Sequence, residues 1–124
     1  MNAQTKEWRA KADGDQATAM REYRARKNPN YDSACFHAQQ CIEKYLKATL
    51  VKNKASFSKI HDLEVLLDLC LPLYPLWEPM RDDMQLLTQY AVQFRYPGES
   101  ADKEEAKQAV TAMNRTRDEI AQTL

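Results

Sequence analysis

Between Tyr31 and Leu50 the larger or apolar side chains recur at steps of three and four: Tyr31, Ala34, Cys35, Ala38, Cys41, Ile42, Tyr45, Leu46, Thr49 and Leu50. That period fits one face of an α-helix, since strand side chains change face at every residue. A helix with so long a stripe must bury it against the apolar faces of other helices. The spacing predicts a helix from Tyr31 to about Lys52. On its other side Glu43 precedes Lys47 by four residues, the favourable order for a helical ion pair.

The flanking segments supply such partners. Trp8, Ala12, Ala19 and Tyr23 give a looser helical spacing, interrupted by Gly14 and closed by Asn28, Pro29 and Asn30. After a loop at "NKASFSK", the run "HDLEVLLDLCL" places acidic residues in a first turn before Leu63, Leu66, Leu67, Cys70 and Leu71, as a short buried helix would. Pro72, Pro75 and Pro79 mark a kinked connection, because proline lacks the amide hydrogen and disfavours helix in the residue before it. A fourth helix is expected to start near Pro79, to show Met80, Met84, Leu87, Ala91 and Phe94 on one face, and to end at Arg95. Ser100 is a plausible N-cap for a last helix carrying Ala106, Val110, Met113, Ile120 and Leu124. The connections are short, so neighbouring helices should pack antiparallel. The expectation is a single all-α domain, residues 1–124, built as an antiparallel bundle of about five helices.

Composition removes other classes. Two glycines in 124 residues leave little room for a Gly-rich phosphate loop or for a sheet protein with many tight turns. With 44% hydrophobic residues the chain can bury a core without staples. Eighteen basic residues balance eighteen acidic ones, so any polyanion site must be local. The longest apolar run, Val65 to Trp77, is broken by Asp68, Pro72 and Pro75 and falls short of the roughly 20 residues of a membrane span. A polar start without a secretory signal suggests the cytoplasm. Cys35, Cys41 and Cys70 form no Cys-x-x-Cys pair, and reduced, buried thiols are expected.

Several clusters invite a functional reading and also have a plain one. His37 and Cys41 stand four apart, but a structural zinc needs four ligands and no second close pair exists. Both are expected in the core or at its edge, with no metal and no cofactor. Asp13 and Asp15 lack the further oxygen ligands of a calcium loop and read as solvated helix surface. Arg21, Arg24, Arg26 and Lys27 surround Tyr23; the helix dipole accounts for cations there, and such a turn also suits phosphate or a base. In "QFRYPGES", Arg95 and Tyr96 before Pro97 and Gly98 read as a helix end, where a cation complements unpaired carbonyls.

The ordered segments "FHAQQCIEKYLKATLV", "KIHDLEVLL" and "YAVQFRYPGE" resemble the HEPN family, the nucleotide-binding helical domains of higher eukaryotes and prokaryotes. The likeness is to small stand-alone prokaryotic members and covers nearly the whole chain, with Gly14 standing where a larger apolar residue is expected. It implies an antiparallel bundle of four main helices with a short extra one, commonly assembled as a homodimer. It also implies, as in many members, a genomic partnership with a minimal nucleotidyltransferase in toxin and antitoxin pairs. Many such proteins are metal-independent ribonucleases that use an arginine and a histidine with four to six residues between them. Arg95 matches the arginine. At the corresponding spacing stand Ser100, Ala101 and Asp102, so no catalytic residue is assigned.

Cleavage without a metal needs a proton acceptor, a proton donor and a cation on the developing phosphorane charge, and Arg95 supplies only the last. The resemblance therefore points first to a nucleotide- or RNA-binding module. In it Arg95 would hold phosphate, Tyr96 would stack on a base or pack against a partner subunit, and Lys47 and His61 are further candidates. A ribonuclease with a displaced histidine and a purely structural interaction module are the alternatives.

Overall fold

A computed structural model describes residues 1–92 and 96–124. Its helices are α1 (Ala3–Arg24), α2 (Tyr31–Lys52), α3 (Leu63–Cys70), α4 (Arg81–Thr88) and α5 (Lys103–Ala121), with a 3-10 segment at Pro75–Met80 before α4. No strand occurs among the described residues, and none of the described helices is long and apolar enough to cross a membrane. The all-α expectation is met.

The stripe read from the sequence is the centre of the molecule. α2 packs against α1, α3, α4 and α5. Ala34, Cys35, Ala38, Cys41, Ile42, Tyr45, Leu46 and Leu50 are all fully buried in one cluster with Ala12 and Ala19 of α1, Leu63, Leu66, Leu67 and Cys70 of α3, Met84 and Leu87 of α4, and Ala106, Met113 and Ile120 of α5. Small residues face α2 from α1, and closer helix approach follows from their size.

Side chains set the helix starts. Asn2 Oδ1 accepts from Thr5 N, Asn30 Oδ1 from Ser33 N, Asp62 Oδ1 from Glu64 N and Asp102 Oδ1 from Glu105 N, each satisfying an amide that the first turn leaves unpaired. Asp102 thus caps the last helix, where the sequence had suggested Ser100. α1 starts at Ala3, ahead of Trp8, and runs through Gly14 without interruption.

The larger correction concerns the fourth helix. Pro75 and Pro79 hold Pro75–Met80 in a 3-10 segment, and α4 ends at Thr88 after only 8 residues. Ala91 is already outside the helix, and Phe94 and Arg95 lie outside the described residues. The reading of "QFRYPGES" as a helix end falls partly on residues 93–95, outside the described residues; from Tyr96 onward the chain forms a turn. Glu99 N donates to Tyr96 O at 2.9 Å, closing a turn with Pro97 second and Gly98 third at φ 88°. Proline followed by a left-handed residue is the pattern of a type II turn, and only glycine takes that conformation without a steric cost.

Gly14 is exposed, and a Cβ built on it would meet no atom within 4 Å. Gly14→Ala should raise stability by about 0.5–1 kcal/mol, the difference in helix propensity, and urea unfolding measures it.

The thiols behave as a buried set: Cys35, Cys41 and Cys70 are all buried and form no disulfide. Burial raises the Cys70 thiol from 9.0 to about 12 and pushes Cys41 higher still. Burial first, then its hydrogen bond to Asp13, raises the Tyr45 phenol from 10.0 to about 12. Above pH 9.0 these groups begin to ionise in the unfolded chain while staying neutral in the folded one, so their contribution is complete below pH 9.0 and is lost as pH climbs toward about 12. Chemical denaturation at stepped pH should show a midpoint that falls steeply across that window.

Candidate functional site

The site is built on the side of α2 that faces the loop before α3. Glu43 and Lys47, spaced for an ion pair in sequence, do form one, with Lys47 Nζ 3.1 Å from Glu43 Oε2. It is not a solvated pair: the side chains are only 7% and 5% exposed. A charge moved from water into the interior costs several kcal/mol unless it is matched, and here each ion matches the other.

Aromatic rings close over the cation. Lys47 Nζ lies 5.7 Å from the centroid of Trp8 on α1 and 5.9 Å from that of Phe57 in the loop. Those two rings meet edge to face at 6.4 Å. Ring faces carry negative potential and so accommodate an ammonium group that has lost its water.

The other carboxylate oxygen holds His61, with Nδ1 3.0 Å from Glu43 Oε1. A carboxylate can only accept, so the proton lies on Nδ1 and the neutral ring keeps its lone pair on Nε2. The His61 side chain is 65% exposed. Fully buried Gln39 fixes the loop beside it: its Nε2 donates to Glu43 Oε1 and to the His61 carbonyl, both at 3.1 Å. Gln40 Nε2 in turn donates to Gln39 Oε1 at 2.7 Å, which sets the amide's orientation.

Lys47 and His61, proposed separately from sequence, thus meet on one carboxylate. Their roles differ, because the buried, paired ammonium of Lys47 is not offered to solvent while the imidazole is. Arg95 lies outside the described residues. Tyr96 is 65% exposed at the start of its turn. Two hydrogen bonds fix the ends of the segment that carries these residues: Thr88 Oγ1 accepts from Leu63 N at 3.0 Å, two residues past His61, and Asp32 Oδ1 accepts from Ala101 N at 2.6 Å.

Sequence reasoning passed over Glu43, Gln39 and Phe57 as parts of a site. Phe57 did leave a signal, as a lone aromatic in an otherwise polar loop. Buried Gln39 left none, since a glutamine reads as surface until its neighbours are known.

The His37–Cys41 and Asp13–Asp15 clusters are structural. His37 Nδ1 donates to the Ser33 carbonyl at 2.9 Å, and Cys41 is fully buried. Asp13 and Asp15 are not simply solvated: Asp13 accepts from the Tyr45 hydroxyl, and Asp15 Oδ2 lies 2.6 Å from Lys44 Nζ. They join α1 to α2. Arg21, Arg24, Arg26 and Lys27 are exposed at the end of α1 and in the bend after it.

Removing one partner of the Glu43 pair strands a buried charge. Glu43→Ala should cost about 3–5 kcal/mol, and a Glu43→Leu, Lys47→Met double replacement much less, measured by denaturant unfolding.

Residues 5–122 match the family model described as HEPN domain. The crystal structure of TT1696 from Thermus thermophilus aligns over 100% of this chain and 100% of its own, with a TM-score of 0.77 and 23% sequence identity. At that identity the likeness speaks for the fold alone. A search of curated proteins found no match.

Proposed function

The chain belongs to the HEPN domain family, with 5–122 of its 124 residues matched, and on that premise we propose that it is a nucleotide- or RNA-binding module. The reading takes the chain as one domain acting as a homodimer, with a minimal nucleotidyltransferase as its protein partner. The observation that carries it is the His61–Glu43 pair: an exposed imidazole held in one tautomer by a buried carboxylate whose charge Lys47 balances. Protonated, such a ring donates to a phosphate oxygen from Nε2; neutral, it accepts from a ribose hydroxyl.

Arg95 and Tyr96 complete the proposed site, the guanidinium as a two-pronged donor to phosphate and the phenol as a stacking face. Lys47 acts from behind, by bonding the Glu43 carboxylate that orients His61.

The same pair favours a second reading. A histidine oriented through Nδ1 by a carboxylate is the base-and-orienter arrangement of general acid–base catalysis. The alternative is accordingly a metal-independent ribonuclease in which His61 replaces the histidine missing after Arg95.

One experiment separates the two. Wild type, Arg95→Ala and His61→Ala are titrated with an RNA and nucleotide panel in chelator, and cleavage is scored in the same samples. The expected outcome is micromolar or tighter binding by wild type, at least tenfold weaker in either variant, with intact RNA. Cleavage that needs both Arg95 and His61 would establish the ribonuclease instead. A folded wild type that binds nothing in the panel at low salt would overturn both readings and leave a structural interaction module.

A further inference from the structure

Trp8 has an orientation that the fold sets and a surface that the fold leaves open. On its inner side the ring is fixed by Lys47 Nζ at 5.7 Å and by the edge-to-face contact with Phe57. It is nevertheless only half-buried. On its outer side it lines a recess of about 230 Å³ together with Gln4, Glu7 and Lys11. These four positions are spaced three and four apart along α1, which puts them on one helix face.

A planar aromatic ligand suits these features. An indole with a free surface is a stacking platform that accepts any base, and one already locked by its neighbours loses little conformational entropy when it binds. The polar rim adds hydrogen-bonding choice at a base edge: the Gln4 amide both donates and accepts, Glu7 accepts and Lys11 donates. Glu7 and Lys11 are 3.8 Å apart and 70% and 62% exposed, so their pairing is too weak to withhold them from a ligand.

The recess is also connected to the His61 pair. Lys47, which lies over the Trp8 ring, bonds the carboxylate that holds His61. A base platform and a phosphate-competent imidazole therefore stand on the same buried ion pair.

We propose that the Trp8 recess is a nucleobase-stacking subsite of the site that contains His61. The inference rests on the nucleotide-binding reading above and adds to it a residue, a ligand moiety and a place. A phosphate-only ligand would have no reason to occupy it.

Indole fluorescence tests this directly. The second tryptophan, Trp77, is 3% exposed and stacked on Tyr74 at 4.4 Å, so it contributes a steady background. Wild type, Trp8→Phe, Trp8→Ala and His61→Ala are titrated with adenosine monophosphate, uridine monophosphate and ribose 5-phosphate, and thermal unfolding confirms that each variant is folded. The monophosphates should quench wild type saturably, whereas ribose 5-phosphate should not. The quench should vanish in Trp8→Phe. Calorimetry should show affinity nearly kept in Trp8→Phe and weakened roughly tenfold or more in Trp8→Ala, the range for loss of one stacked base.

His61→Ala should weaken the monophosphates while leaving the quench at saturation intact. Nucleotide or RNA binding without quenching, and unchanged in Trp8→Ala, would overturn the subsite and leave the binding module standing. Equal binding of ribose 5-phosphate and the monophosphates would overturn it as well. No binding of any nucleotide or RNA would remove both inferences together.

Discussion

The structure depends on desolvation around one helix. α2 has 22 residues, and neighbours on several sides bury most of them, Glu43 and Lys47 included. Apolar residues enter such an environment freely. Ionisable ones enter only with a partner, since an unmatched ion in the interior costs more than most domains can lose. The Glu43–Lys47 pair meets that condition, and its second carboxylate oxygen remains available for a group from outside the core. His61 uses it. The same requirement that keeps the fold stable thus orients the one exposed imidazole of the candidate site.

The opposite faces of that ion pair meet different surroundings. Toward α1, Lys47 lies under Trp8 and Phe57, and an aromatic cover replaces its lost water. Toward the loop, Glu43 is reached by Gln39, which also holds the His61 backbone. Side chain and main chain of His61 are therefore fixed from one helix. An imidazole on a loop becomes nearly as well placed as one on a helix, which matters because a binding group about 1 Å out of position loses much of its effect.

Helical periodicity also explains an error. Met80, Met84 and Leu87 keep a regular spacing, and the pattern continues to Ala91 and Phe94. The α-helix nevertheless spans only Arg81–Thr88. At its start the prolines prefer a 3-10 path. Past its end, Tyr90 turns its hydroxyl to Glu105 on α5 at 3.0 Å and is itself buried. Periodicity states where a helix is allowed, and tertiary contacts decide where it stops. Tyr96 belongs to a turn that comes before α5 in the chain.

Much of the fold was legible in the amino-acid order. The stripe of α2, the break at Asn28, Pro29 and Asn30 before it, the short apolar α3 and the scarcity of glycine together dictate an all-α bundle, because helical spacing and end chemistry are local properties. The candidate site was legible only in pieces. Lys47, His61, Arg95 and Tyr96 came from segments that resemble a family; the four-residue spacing joins Glu43 to Lys47, but nothing in the order of residues joins that pair to position 61 or brings Trp8 to it. That Lys47 is buried, that Glu43 holds both Lys47 and His61 and that Gln39 is part of the support follow from how α1, α2 and the loop before α3 meet. Burial and proximity are properties of the packed chain, since desolvation depends on every neighbour, and tertiary structure alone supplies the neighbours.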